Sequence, residues 1–176
     1  MKTLKSILMI AVLLTGIHAS AQTDKATTTK LVNNQNFVFN ATTASPMANA
    51  ELNAIMSQMP GGQSGGLIQL GGSRYQLVVE KDSLSAYLPY FGRAYTATMN
   101  TNDSGIKFNS NDFTYETKRK KKGNWLITIK PKNQIDAQIL TLNISENGFA
   151  SLNVNSNNKQ AISFNGYISE PKQDKN

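Results

Sequence analysis

Tyr87, Tyr90, Phe91, Arg93 and Tyr95 crowd into one short stretch, SAYLPYFGRAY, from Ser85 to Tyr95. Aromatic faces of this kind can stack on a sugar, a lipid or another ring, and a guanidinium can pair with an anion. Set at the mouth of a folded domain, these residues would make a ligand site. They also have an architectural reading. Pro89 lacks an amide proton and interrupts strand pairing, and Gly92 permits a bend. Tyrosine hydroxyls can then satisfy the backbone groups freed there. On this reading Leu88 and Phe91 face inward, and Tyr90 and Arg93 lie nearer a rim. The bend alone accounts for every residue in the stretch, so it is the simpler reading.

A second cluster is Lys118, Arg119, Lys120, Lys121 and Lys122, which ends at Gly123. It falls between two alternating segments and is expected at a hairpin tip. Such a tip could contact an anionic surface such as a lipid headgroup or an acidic glycan. A solvated turn that blunts strand edges with charge is the simpler reading, because one loop does not make a patch. No nucleic-acid motif accompanies it.

The residue types also exclude chemistry. The sequence has no Cys, and its one His, His18, lies in the N-terminal segment expected to be removed. The mature chain therefore lacks the Ser-His-Asp and Cys-His nucleophile systems and the usual zinc ligands. Glu80, Asp82, Asp103, Asp112 and Glu116 are the carboxylates available for a glycosidase-like pair, but their setting is that of strand ends and turns. The loop PGGQSGG, Pro60 to Gly66, lacks the spacing of a phosphate-binding loop. No enzymatic activity, metal or cofactor is expected.

The N-terminus gives the destination. Lys2 and Lys5 precede an apolar run from Ile7 to Ile17, and Ala19-Ser20-Ala21 supplies small residues for cleavage after Ala21. Residues 1–21 thus read as a signal peptide, and the run is too short for a comfortable membrane span. Its removal lowers the net charge from +7 to +5. The protein is expected in the periplasm or secreted. The remaining 155 residues are about one domain, large enough to hold a core without disulfides.

Residues 22–35 are polar and read as a flexible leader, followed by one domain over 36–170 and a polar tail at 171–176. Phe37 and Phe39 suggest a first strand. Ser45-Pro46 resembles a helix start, with an apolar stripe through Met47, Leu52, Ile55, Met56 and Met59 before Pro60-Gly61. From Leu67 the apolar residues alternate. Trp125/Ile127/Ile129, Leu140/Leu142/Ile144, Ala150/Leu152/Val154 and Ile162/Phe164 are separated by turn-like connections too short for a helix. Neighbours should therefore pair antiparallel, as a meander. About eight or nine strands can close an up-and-down barrel or form a two-sheet sandwich, and spacing does not separate the two.

LPYFGRAY (Leu88 to Tyr95), GIKF (Gly105 to Phe108) and NGFASLNVNSNNKQAISFNGYI (Asn147 to Ile168) resemble the bacterial envelope family called domain of unknown function 4251. The resemblance implies an exported protein with a lipocalin-like β-barrel, and so ranks the barrel above the sandwich. It implies no activity and carries over no catalytic residue. The resulting expectation is a mostly β, antiparallel barrel with one short N-terminal helix. Its function would be non-catalytic, with a small apolar or amphipathic ligand in or at the mouth of the barrel. The alternative is a filled barrel serving as a structural or interaction module, and a carboxylate-based hydrolase is the remote third. Lipid, glycan or another envelope protein are the partners these readings allow.

Overall fold

The computed structural model describes residues 23–46, 67–71, 74–95, 105–134 and 137–171. The expected signal segment with its Ala21 cleavage site, the apolar stripe from Met47 to Met59, the Pro60–Gly66 loop and residues 172–176 lie outside the described residues.

The short N-terminal helix is present, but it lies earlier in the chain than the sequence suggested. α1 spans Lys25–Asn33, within the stretch read as a leader. Asp24 caps it by accepting hydrogen bonds from the amides of Ala26 and Thr27 at 2.8 and 2.9 Å. Thr28, Leu31 and Val32 are buried, and their i, i+3, i+4 spacing makes a narrow seam against the sheet. Ser45 and Pro46, read as a helix start, instead end strand β1 (Phe37–Pro46), where Pro46 lies opposite Ile162. Proline is tolerated there because the ladder is ending and one missing amide costs little.

The remaining strands are β2 (Ile68–Gln69), β3 (Gln76–Val79), β4 (Leu84–Leu88), β5 (Ile106–Ser110), β6 (Phe113–Arg119), β7 (Trp125–Pro131), β8 (Ile139–Ile144), β9 (Phe149–Asn155) and β10 (Ile162–Ser169). Their order is β5-β4-β3-β1-β10-β9-β8-β7-β6, with short β2 pairing beside β1. The expected meander is the run β6 to β10. First and last strands, β1 and β10, pair with each other, as an up-and-down barrel requires.

The two ends of this order are joined by the chain itself. Every pairing along the path is antiparallel, so β5 and β6 run in the same direction. Only Asn111 and Asp112 lie between them, too few for a crossover. They are two halves of one bent strand, the first bonded to β4 and the second to β7. The Ser110 hydroxyl holds the bend by donating to the Asp112 carbonyl at 2.9 Å. The sheet is therefore a nearly closed antiparallel barrel.

Its interior is packed with side chains. Phe37, Phe39, Leu77, Val79, Ile127, Leu140, Leu142, Leu152 and Phe164 are each 0 % exposed. The alternation in the sequence places them, because each strand turns every second residue inward. A β-bulge between Ala41 and Thr43 bends β1 over Gly166. A Cβ at position 166 would collide with the Asn40 carbonyl, so glycine is required by close approach.

Candidate functional site

The loops lie at two opposite ends. The β3–β4, β6–β7 and β8–β9 turns share one end with α1. The β4–β5, β7–β8 and β9–β10 connections share the other. This separates the two clusters picked out in the sequence, for the basic hairpin sits at the helix end and the aromatic corner at the opposite one.

At the corner, β4 stops at Leu88, 1 % exposed, immediately before Pro89. The Tyr90 ring turns back on the chain. Its hydroxyl lies 2.8 Å from the Arg93 carbonyl and 3.0 Å from the Gln160 carbonyl, and its single proton serves one or the other. Burial pushes the phenol up to about 12. A Cβ on Gly92 would come within 2.7 Å of that hydroxyl, so the turn needs glycine for space. Arg93 accepts a backbone bond from Gln160 at 3.0 Å, and the Tyr95 amide donates to Asn158 at 2.7 Å. Ala94 forms an isolated bridge with Lys159. The corner is thus stitched to the β9–β10 connection.

Lys159 completes the corner, and sequence reasoning missed it. It is 3 % exposed, donates from Nζ to the Gly105 carbonyl at 2.9 Å, and lies 5.3 Å from the centre of the Tyr90 ring. A carbonyl dipole and a ring face together hold the ammonium. Its only sequence signal was a lysine in the polar turn NSNNKQ. Of the expected pair of inward residues, Leu88 is buried and Phe91 is half-buried against the core. Arg93 and Tyr95 are exposed.

Tyr87 does not join this group. It is 49 % exposed on the outer face of β4, as its alternation with buried Leu88 requires. Its ring stacks on Tyr75, with centroids 5.7 Å apart and planes at 20°, and Lys107 Nζ lies 5.4 Å from its centre. The cross-strand register continues this outer row through Gln76, Asn40 and Tyr167 to Phe149, which is 57 % exposed. Lys107, Tyr167 and Phe149 were missed because alternation tells which residues face outward but not which strands stand side by side, and Tyr75 because alternation groups it with the inward Leu77 and Val79.

At the helix end, Lys118 and Arg119 close β6 and Lys120, Lys121 and Lys122 form the hairpin turn, all exposed. Gly123 has a φ of 82°, the left-handed conformation that such a turn needs. Arg119 lies 5.0 Å from the Trp125 ring centre and 3.3 Å from Glu146, which also pairs with Lys25 of α1 at 2.9 Å. Hydrogen bonding to Lys25 holds the Glu146 carboxyl below the ordinary carboxylate value, with Arg119 adding to the effect.

The carboxylates do not converge. Glu80 accepts from Ser83 in the β3–β4 turn, Asp112 pairs with Lys132 at 2.8 Å, and Glu116 lies exposed on β6; Asp103 is outside the described residues. Among the described residues no three His, Cys, Asp or Glu side chains form a metal-binding group. Also among them, no helix is long and apolar enough to cross a membrane.

The sequence profile of a family described as "Domain of unknown function (DUF4251)" matches residues 19–168. A search of curated proteins gives no match. The fold is similar to the crystal structure of a DUF4251 family protein from Bacteroides eggerthii, with a TM-score of 0.54 at 12% identity, over 83% of this chain and 87% of that one.

Proposed function

Since the chain belongs to the DUF4251 family, whose description assigns no activity, we propose a function read from geometry: a non-catalytic, exported envelope protein that acts as a filled β-barrel through its outer surface. The observation that carries this reading is the interior. Inward-facing residues of β1, β3, β7, β8, β9 and β10 reach 0 % exposure, which leaves binding to the outside. Export rests on the Lys2/Lys5, apolar and Ala19-Ser20-Ala21 order of the N-terminus.

A barrel that holds a small apolar ligand is the second reading. It draws on Tyr115, whose hydroxyl is buried without a hydrogen-bond partner and whose pKa burial pushes up. Such a group either meets an internal water or marks space for a ligand atom. Thermal melts with and without an envelope lipid extract separate the two. The filled barrel predicts no shift, whereas a lipid-dependent rise in Tm abolished by Tyr115→Leu overturns it. N-terminal sequencing that returned Met1 from the protein isolated outside the inner membrane would contradict cleavage after Ala21.

A further inference from the structure

The outer face of β5-β4-β3-β1-β10-β9 carries a single row of side chains that neither the core nor the corner uses. The row runs Lys107, Tyr87, Gln76, Asn40, Tyr167, Phe149, each residue directly opposite the next. At about 4.8 Å per strand it extends about 24 Å. The stacked rings of Tyr75 and Tyr87 stand between two shallow depressions. Lys107 and Ser85 line one, and Arg74 and Asn40 line the other. Each depression therefore combines an aromatic wall, a neutral hydrogen-bonding group and one cation.

Among the described residues, no carboxylate interrupts this surface. The neighbouring outward row, Asn109, Ser85, Val78, Val38 and Ser169, is also free of acids. We infer that the face binds an extended acidic polysaccharide, with sugar rings on the exposed Phe149 and against the edges of the stacked Tyr75 and Tyr87, hydroxyls on Gln76 and Asn40, and carboxylates toward Lys107 and Arg74. The chemistry selects this ligand over two others. A peptide strand would need an open sheet edge, but β4, β3, β1 and β10 beneath the row are each paired on both sides. A lipid surface would need a contiguous apolar patch to insert, and Gln76 and Asn40 divide Tyr87 from Tyr167 and Phe149. Tyrosine and phenylalanine offer large, rigid faces with little ordering cost, and the amides supply direction.

The inference rests on the filled-barrel reading, and its test fails separately. The protein expressed from its full sequence is run in native gels containing polygalacturonate, alginate or a neutral β-glucan. Retardation is expected in the two acidic polysaccharides. Tyr87→Ala and Phe149→Ala should each weaken it by about tenfold or more, with thermal melts unchanged for the exposed Phe149 and lowered only slightly for Tyr87, which loses its stack on Tyr75. Lys107→Ala combined with Arg74→Ala should remove the preference for acidic over neutral chains. Lys121→Ala with Lys122→Ala, at the other end of the barrel, should change nothing. Retardation lost in that hairpin variant but retained in Tyr87→Ala would overturn the inference, since any basic loop would then suffice. Absence of retardation in every polysaccharide overturns it too, as does Tyr87-dependent binding to phosphatidylglycerol vesicles alone. The filled-barrel reading survives all three results.

Discussion

The two ends of the barrel are closed by opposite physical means. At one end, α1 lays Thr28, Leu31 and Val32 onto the sheet, and exposed ion pairs join it to its neighbours through Glu146. At the other, the corner from Leu88 to Tyr95 folds back and is fastened by the buried Lys159 and the half-buried Tyr90. Exposed ion pairs add little and weaken with salt. Buried donors cost much to remove, because the acceptor they leave behind stays dry. The helix end should therefore loosen easily and gradually, and the corner should resist until its partners are lost.

The comparison can be broken first at the wall that both ends share. Leu142→Ala removes a side chain that is 0 % exposed and should cost about 2–5 kcal/mol, opening both ends together. Chemical denaturation measures it, and a cost near zero would mean that the interior is not packed as described. Next in size is Lys159→Met. It keeps the length of the side chain but strands the Gly105 carbonyl, at a cost of about 1–3 kcal/mol. Hydrogen exchange should rise at Arg93–Tyr95 and not in α1; equal exchange changes at both ends would refute the separation.

pH should divide the ends as well. Asp24 and Glu146 have lowered pKa values, chiefly through hydrogen bonds to Thr27 and to Lys25. Their contribution is present above the unfolded carboxylate value and is lost as pH falls through the lowered one. The helix end therefore loosens in acid. Tyr90 is raised to about 12 by burial, so its contribution is present below the ordinary tyrosine value and is lost as pH climbs from there to about 12. The corner therefore loosens in base. Trp125, the one tryptophan and a neighbour of Arg119, gives a fluorescence signal at the helix end. The part of the alkaline tyrosine absorbance titration that disappears in Tyr90→Phe reports the corner, among the six tyrosines of the sequence. An acid transition seen first in hydrogen exchange at the corner would reverse the assignment. The smallest effect belongs to Arg119→Ala, which should lower Tm slightly at low salt and less as salt is added.

The sequence was most readable where one physical rule governed each position. Trp125, Ile127, Leu140, Leu142, Leu152, Val154, Ile162 and Phe164 were expected in the core from alternation alone, and all are at most 3 % exposed. Short connections likewise dictated the antiparallel meander from β6 to β10. Reading failed where tertiary contact supplied what local pattern lacked. α1 has a weak apolar seam in a polar stretch, and the sheet beneath Leu31 and Val32 makes it a helix. Ser45-Pro46 has the composition of a helix start, yet β10 beside it holds it extended. For the site, the bend at Pro89 and Gly92 and the inward Leu88 were legible, whereas Tyr87 was grouped with a corner that it does not join. The partners of each were not legible. Lys159 and Tyr90 are 69 residues apart, and the outer row depends on a register across six strands that no local signal encodes.

The central claim is that the barrel is filled and works from outside, and native mass spectrometry of the protein purified from the cells that make it naturally tests it most directly. Side chains at 0 % exposure on the inner faces of β1, β3, β7, β8, β9 and β10 predict the mass of the polypeptide alone, unchanged by lipid extraction. A reproducible excess of one small-molecule mass, removed by extraction and absent from a Tyr115→Leu variant, would contradict it.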